Sequence, residues 1–210
     1  MNNRGENIKK GKLADEKIIE HLKKLDGFIN IIECKDYQVE LKQGKELTRS
    51  QHLQNNINMI GGTDYVLVMK GGNLEFRNLT GDDAQLNGFK FRLINIDTKG
   101  FNYSLKNNGV MYSDGTVERL LLQIGKYYGG VKYKGWANNP HHLTSFIVMN
   151  VGDWVYYLDY KKLVVFMQSL NRSNTVGELF PKGGENYEVC LKVPVKGLLE
   201  SGVITAIVPL

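Results

Sequence analysis

Phe91-Arg-Leu-Ile-Asn-Ile-Asp-Thr-Lys99 is the stretch on which the fold turns. It is mostly apolar until Asp97 and Lys99, so it reads as a strand leaving a core with two opposite charges at its end. Successive side chains of a strand alternate faces, which puts Asp97 and Lys99 on the same one. Upstream, Gly61-Gly62 punctuates the chain and Asp64 opens the run Tyr65-Val-Leu-Val-Met69. A continuous apolar run of this kind fits a strand covered on both faces. Lys70-Gly-Gly-Asn73 signals a hairpin with Leu74 to Leu79 as its partner. Thr80 to Gly88 reads as a turn-rich excursion, and Phe89 to Lys99 as the third strand of a meander.

Outward from the meander, Ala14, Ile18, Ile19, Leu22 and Leu25 form one stripe at helical spacing, predicting a helix over Leu13 to Leu25 that stops at Asp26-Gly27. Phe28 to Cys34 reads as a short strand. Lys35 to Gly62 is polar and without a clear period, a loop with some helix. Val117, Leu120, Leu121, Ile124 and Tyr128 predict a second amphipathic helix ending at Gly129-Gly130. Ser145 to Val151 and Trp154 to Tyr160 read as a strand pair turning at Gly152-Asp153, followed by a helix over Lys161 to Leu170. Tyr187 to Val195 and Val203 to Val208 are the last strands, with a helical turn near Leu198 between them. Helices and strands alternate in a way that implies an α/β domain with helices on both faces of a sheet. The expected organisation is a single domain over 1–210, with a core of about 11–170 and a strand-rich extension over 171–210.

The 210 residues include 27 Lys+Arg against 22 Asp+Glu, a formal charge of +5 that modestly favours a polyanionic partner. Cys34 and Cys190 are too few for a disulfide scaffold or a cysteine-based zinc site. The polar N-terminus lacks the apolar segment of a signal peptide, and no apolar run reaches membrane-spanning length, so a cytoplasmic protein is expected.

An acid two residues before a lysine occurs five times: at Asp15-Glu-Lys17, Glu33-Cys-Lys35, Glu40-Leu-Lys42, Asp97-Thr-Lys99 and Asp159-Tyr-Lys161. Only the Asp97 copy sits at the end of an apolar strand with a second acid, Asp64, one hairpin upstream. Asp159 falls where a strand hands over to a helix and reads as an N-cap. Two carboxylates suffice for Mg²⁺, which keeps several waters and takes phosphate oxygens as further ligands. A metal so held polarises a phosphoryl group and acidifies an attacking water. Lys99 is placed to neutralise charge that develops there.

Gly62-Thr-Asp64 before Tyr-Val-Leu-Val, and Ile-Asp97-Thr-Lys99 after a hairpin, resemble the motif of the PD-(D/E)XK nuclease superfamily, which includes many restriction endonucleases and Holliday-junction resolvases. Gly11-Lys-Leu-Ala-Asp-Glu-Lys-Ile-Ile-Glu-His-Leu22 resembles that family's first helix, which often carries an acid. Thr63 stands where many members have proline. The resemblance implies a restriction-endonuclease-like fold, a mixed central sheet flanked by helices. It also implies hydrolysis of DNA phosphodiesters with Mg²⁺ (or Mn²⁺), by Asp64 and Asp97 as metal ligands and Lys99 beside them. Asp15, which the helical stripe turns inward, ranks first as an outer carboxylate and Glu16 second. Cutting both strands of a duplex usually takes two sites, so a homodimer is expected. Restriction-type cleavage is favoured because the polar segment 35–60 and the C-terminal region could carry sequence readout. The alternatives are a structure-specific nuclease, a non-catalytic nucleic-acid-binding protein of the same fold, and a small-molecule enzyme on an unrelated α/β fold.

Lys126-Tyr-Tyr-Gly-Gly-Val-Lys-Tyr-Lys-Gly-Trp136 interleaves Lys126, Lys132 and Lys134 with aromatics, a pattern that suits phosphate contacts and base stacking as well as plain packing. Arg49, His52 and Gln54 are further candidates to enter a groove. His141-His142 reads as a pair of exposed loop histidines.

Overall fold

The computed structural model describes residues 4–70, 82–86, 89–101, 117–129, 131–170, 177–180 and 187–210. Helix α1 (Arg4–Lys23) leads into strand β1 (Phe28–Glu33). The polar segment then forms two helices, α2 (Gln38–Lys42) and α3 (Arg49–Met59). Helix α3 is started by a capping box: Thr48 Oγ1 accepts from Gln51 N, while Thr48 N donates to Gln51 Oε1 at 2.8 Å. Among its residues only Asn55 is buried, which is why no apolar period marks it in the sequence.

Strands β2 (Tyr65–Lys70), β3 (Asp82–Leu86) and β4 (Phe89–Phe101) follow. The expected partner strand at Leu74 to Leu79 lies outside the described residues. Thr80 to Gly88 is not a mere excursion, because β3 pairs antiparallel with β4, from Asp82↔Leu93 to Leu86↔Phe89. The pairing of β2 with β4 is nevertheless in the register that a shared site needs, running from Tyr65↔Ile96 to Lys70↔Phe91.

Strands β5 (Arg119–Tyr128) and β6 (Val131–Lys134) come next, then a 3-10 turn (Trp136–Asn138). The predicted helix over 117–128 is thus a strand. Its pairing with β10 (Tyr187–Pro194) explains the misreading. The register jumps between Val189↔Gly125 and Cys190↔Gln123, leaving Ile124 as the extra residue of a bulge. Before it the buried positions alternate at Leu120 and Leu122. After it the buried position is Gly125, so no single period of two runs along the strand and its apolar residues can be read at helical spacing.

Strands β7 (Phe146–Val151) and β8 (Trp154–Asp159) form the anticipated pair. Asp159 caps helix α4 (Tyr160–Ser169) by accepting from Lys162 N at 3.1 Å. Strand β9 (Gly177–Phe180), helix α5 (Val195–Glu200) and strand β11 (Ile204–Pro209) complete the elements.

The larger sheet orders its strands β1-β2-β4-β7-β8-β11, with β3 beside β4, and it is mixed: β7 runs parallel to β4 while the other pairs are antiparallel. A second sheet orders β6-β5-β10-β9. The chain is therefore a mixed α/β protein. Two cores flank the large sheet. On one face Ile18 and Leu22 of α1 pack with Leu67, Ile94, Ile96, Phe146 and Val148. On the other, Ile147 and Met149 join Leu120 and Leu122 of β5 and Leu163 of α4. No helix among the described residues is long and apolar enough to cross a membrane.

Candidate active site

Alternation along β4 sorts the site residues by face. Ile94 and Ile96 belong to the core under α1, so Thr98 continues toward α1, whereas Asp97 and Lys99 turn to the face of β5 and the 3-10 turn. Parallel pairing sets Asp97 beside Ile147 and Lys99 beside Met149, both on that second face. Asp64 stands just before β2, where its backbone N donates to Ile96 O at 3.0 Å. From that edge its carboxylate reaches both faces. Oδ2 accepts from Thr98 N at 3.1 Å and lies 3.3 Å from Thr98 Oγ1, and Oδ1 accepts from Asn58 Nδ2 at 3.3 Å.

Asp97 is only 3% exposed. Its carboxyl accepts from Lys99 Nζ and lies within hydrogen-bonding reach of Asp64. Burial pushes the Asp97 carboxyl well above the usual aspartate range, and the Asp64 charge and hydrogen bond push it further, against the opposing pull of Lys99. Burial acts on the Lys99 ammonium in the opposite sense, but Asp97, Asp64 and Asp15 outweigh it and leave the group above its ordinary value. The Lys99 side chain retains 28% of its surface, and its Nζ lies 5.8 Å from the centre of the Trp136 ring.

Asp15 reaches this group from the α1 side, accepting from Thr98 Oγ1 at 2.9 Å. Burial raises its carboxyl, Thr98 lowers it, and Asp64 raises it again. Thr98 thus ties Asp15 to Asp64 across the strand, so Asp15 meets the site through Asp64 and not through Asp97. Glu16 is exposed and lines a separate hollow with Leu13, Glu20 and Asp153, away from Asp64. Of the two first-helix acids, α1 brings only Asp15 to the site.

Two cavities meet at Asp64. The larger, about 910 Å³, is lined by Asp64, Asp97, Lys99 and His142 together with Gln123, Lys126, Tyr133, Lys134 and Trp136. The smaller, about 460 Å³, is lined by Asp15, Glu33, Cys34, Asp36, Asn58 and Tyr65 among others. Burial, with Asp15, Glu33 and Asp64 adding, pushes the Tyr65 phenol up to about 12. Of the predicted nucleic-acid contacts, Lys126 and Lys134 border the large cleft; Lys132 lies in β6, but its side chain falls outside the described residues. Arg49 begins α3, whereas Asn58 and Met59 at the other end of that helix reach the cleft. At 1.5 Å per residue that places Arg49 roughly 13 Å away along the axis.

Sequence reasoning missed Asn58 and His142. Asn58 sits in a polar helix with no signal of its own, yet its Nδ2 clamps Cys34 O at 2.9 Å as well as Asp64. His141 is exposed as expected, but His142 is half-buried and borders the cleft, a placement made by tertiary contacts alone.

Among the described residues no cluster of three or more His, Cys, Asp or Glu gathers closely enough to chelate a metal outright. The donor set still fits Mg²⁺, which needs only one or two carboxylates when waters and phosphate complete its shell. A divalent cation would relieve the repulsion from Asp64 that adds to burial in raising Asp97. No family model, no curated protein and no solved structure matches this chain.

Proposed function

We propose that the chain is a Mg²⁺-dependent DNA endonuclease of the PD-(D/E)XK kind, with a restriction-endonuclease-like core. The observation that carries this is the register of β2 on β4, which brings Asp64 against Asp97 and Lys99 on the side of a cleft bordered by Lys126 and Lys134. Antiparallel β1, β2 and β4 with a parallel β7, and α1 packed on one face, support the fold assignment.

Asp64 and Asp97 are the residues that would hold the metal, which when bound polarises the scissile phosphate and acidifies a water. Thr98 fixes one oxygen of Asp64 through its backbone N, and Asn58 holds the other, so this carboxylate is oriented before substrate arrives. Lys99 lies against Asp97 with part of its surface open, in reach of a non-bridging phosphate oxygen whose growing charge it stabilises. Lys126 and Lys134 neutralise flanking phosphates, while Tyr133 and Trp136 offer flat surfaces to bases or sugars. Restriction-type cutting of a duplex, by a homodimer that supplies one site per strand, is the working form. Helices α2 and α3, built from the polar segment, carry side chains to the cleft edge at Lys42, Asn58 and Met59.

The test is incubation with plasmid and with branched DNA, in Mg²⁺ and in EDTA. Discrete plasmid fragments in Mg²⁺ alone are expected. Cutting of branched DNA only would move the assignment to a structure-specific nuclease. Binding without cutting in Mg²⁺ or Mn²⁺ would leave a non-catalytic nucleic-acid-binding protein.

A further inference from the structure

We propose that His142 is a substrate-contacting residue of this site, its Nε2–H donating to a phosphate oxygen held in the cleft. The inference rests on the nuclease reading for its chemistry but on separate observations for its geometry.

The loop that carries His142 is stitched to the segment that carries Asp64. Leu143 N donates to Gly61 O at 2.7 Å, and Thr144 Oγ1 donates to Gly62 O at 2.7 Å. The imidazole stacks on Tyr160, with ring centres 5.8 Å apart and planes 18° from parallel. Tyr160 is itself pinned, its hydroxyl lying 2.6 Å from Trp136 O and 2.7 Å from Asn139 O. The ring also lies against Gly62, where φ is +62° and a Cβ would overlap Nδ1, Cε1 and Cγ. A ring gripped in this way has one orientation relative to Asp64, Asp97 and Lys99, with which it borders the cleft.

That orientation decides the tautomer. Nδ1 is buried with no hydrogen-bond partner among the described residues. A proton there would be an orphaned buried donor, which proteins avoid, so the proton belongs on Nε2. Burial first, then Lys99 and Lys126, hold the ring below its ordinary value and hence neutral at physiological pH. A neutral Nε2–H is a fixed donor to which no carboxylate among the described residues is bonded, in the cleft where phosphate charge would grow. A histidine kept only for packing would need neither the bare Nδ1 nor the opening onto the cleft.

The experiment compares His142→Ala, His142→Asn and His142→Gln. The Gln amide places its Nε2–H where the imidazole Nε2–H stands, whereas the shorter Asn amide does not reach it. Loss of one such donor from His142→Ala is expected to lower kcat/KM for Mg²⁺-dependent cleavage by about 100-fold. His142→Gln should recover most of that rate and His142→Asn little, at similar melting midpoints. Wild-type rates in His142→Ala, or equal rescue by Asn and Gln, overturn the proposal. A second measurement does not need catalysis: the ¹⁵N resonance of His142 Nε2 is followed as a short thymidine oligonucleotide is added in EDTA. A shift is expected at Nε2 and not at exposed His141. An unmoved Nε2 with oligonucleotide bound overturns the contact even if the enzyme cuts DNA. A moved Nε2 in a protein that cuts nothing overturns the nuclease reading and keeps the contact.

Discussion

A carboxylate costs little at a protein surface and a great deal beneath it, and Asp97 lies beneath it. Its folded value stands well above the 3.8 of an ordinary aspartate, first because of burial and then because of Asp64. The sign follows from linkage. An acid whose pKa is raised on folding contributes stability while protonated. That contribution is complete below the unfolded value, is lost as pH rises through the folded value, and then levels off. Asp97→Asn keeps the shape and removes the titration. In EDTA the melting midpoint of Asp97→Asn should therefore rise relative to wild type as pH climbs from about 4 toward neutrality, because only wild type acquires the buried charge. Mg²⁺ should then stabilise wild type and not the variant. Cleavage by Asp97→Asn should fall at least about 10³-fold, since metal assistance is worth several kcal/mol. A variant that melts below wild type at neutral pH in EDTA would show that Asp97 is held ionised to anchor Lys99 and not to receive a metal. Asp64, Asp97 and Lys99 were legible because a strand's alternation and an apolar run fix where side chains emerge. His142 was not, since Pro140-His-His carries no period, and its environment is supplied by Gly62 and Tyr160 from other parts of the chain.

At the scale of elements, the strand most readily mistaken in the sequence is also the one that forms the far wall of the cleft. Strand β5 reads as a helix because the bulge at Ile124 shifts the phase of its apolar residues; no window of sequence can reveal a bulge that exists only in the pairing with β10. The bulge is held by a close approach. Gly135, with φ −76°, needs no left-handed freedom, yet a Cβ on it would overlap Gln123 O, Gln123 C and Gly125 N, all backbone atoms of β5. Nothing there can rotate aside. Gly135→Ala must therefore push the 3-10 turn away from β5, displacing Trp136 from Lys99 and loosening the loop that bears His142. A loss of about 1–3 kcal/mol in urea unfolding is expected, the range for overpacking a filled site. DNA affinity should weaken along with it. As a control, Gly129→Ala meets no atom within 4 Å, although its φ of +54° is itself unfavourable, so it should cost stability without the loss of DNA binding. Equal binding defects in the two variants would sink the claim that the Gly135 contact shapes the cleft. The helices that were legible, α1, α4 and the short α5, carry buried apolar residues; α2 and α3 lack such a stripe and were hidden by their polar sequence, although α3 has a capping box.

For the whole molecule, a net charge of +5 says little until it is placed. The exposed Lys126 and Lys134 line the same large cleft as Asp64 and Asp97, so on the proposed function they would draw a polyanion toward carboxylates that a bare acidic site would repel. Attraction of this kind has a thermodynamic signature. Each phosphate neutralised releases condensed counterions, and log K falls with log salt concentration with a slope of about −0.9 per contact on duplex DNA. Asp97→Asn, which on the proposed function should bind without cutting, is the background in which to measure that slope by fluorescence anisotropy with a labelled duplex. Adding Lys126→Ala or Lys134→Ala should reduce its magnitude by about 1 each, and by about 2 together if both contact phosphates independently. Adding Arg49→Ala should leave the slope unchanged, because α3 carries that residue to the end remote from the cleft. A slope that drops with Arg49→Ala and not with the lysines would mean that DNA lies along α3 outside the cleft, and the carboxylates would then be separated from the backbone they are proposed to cut.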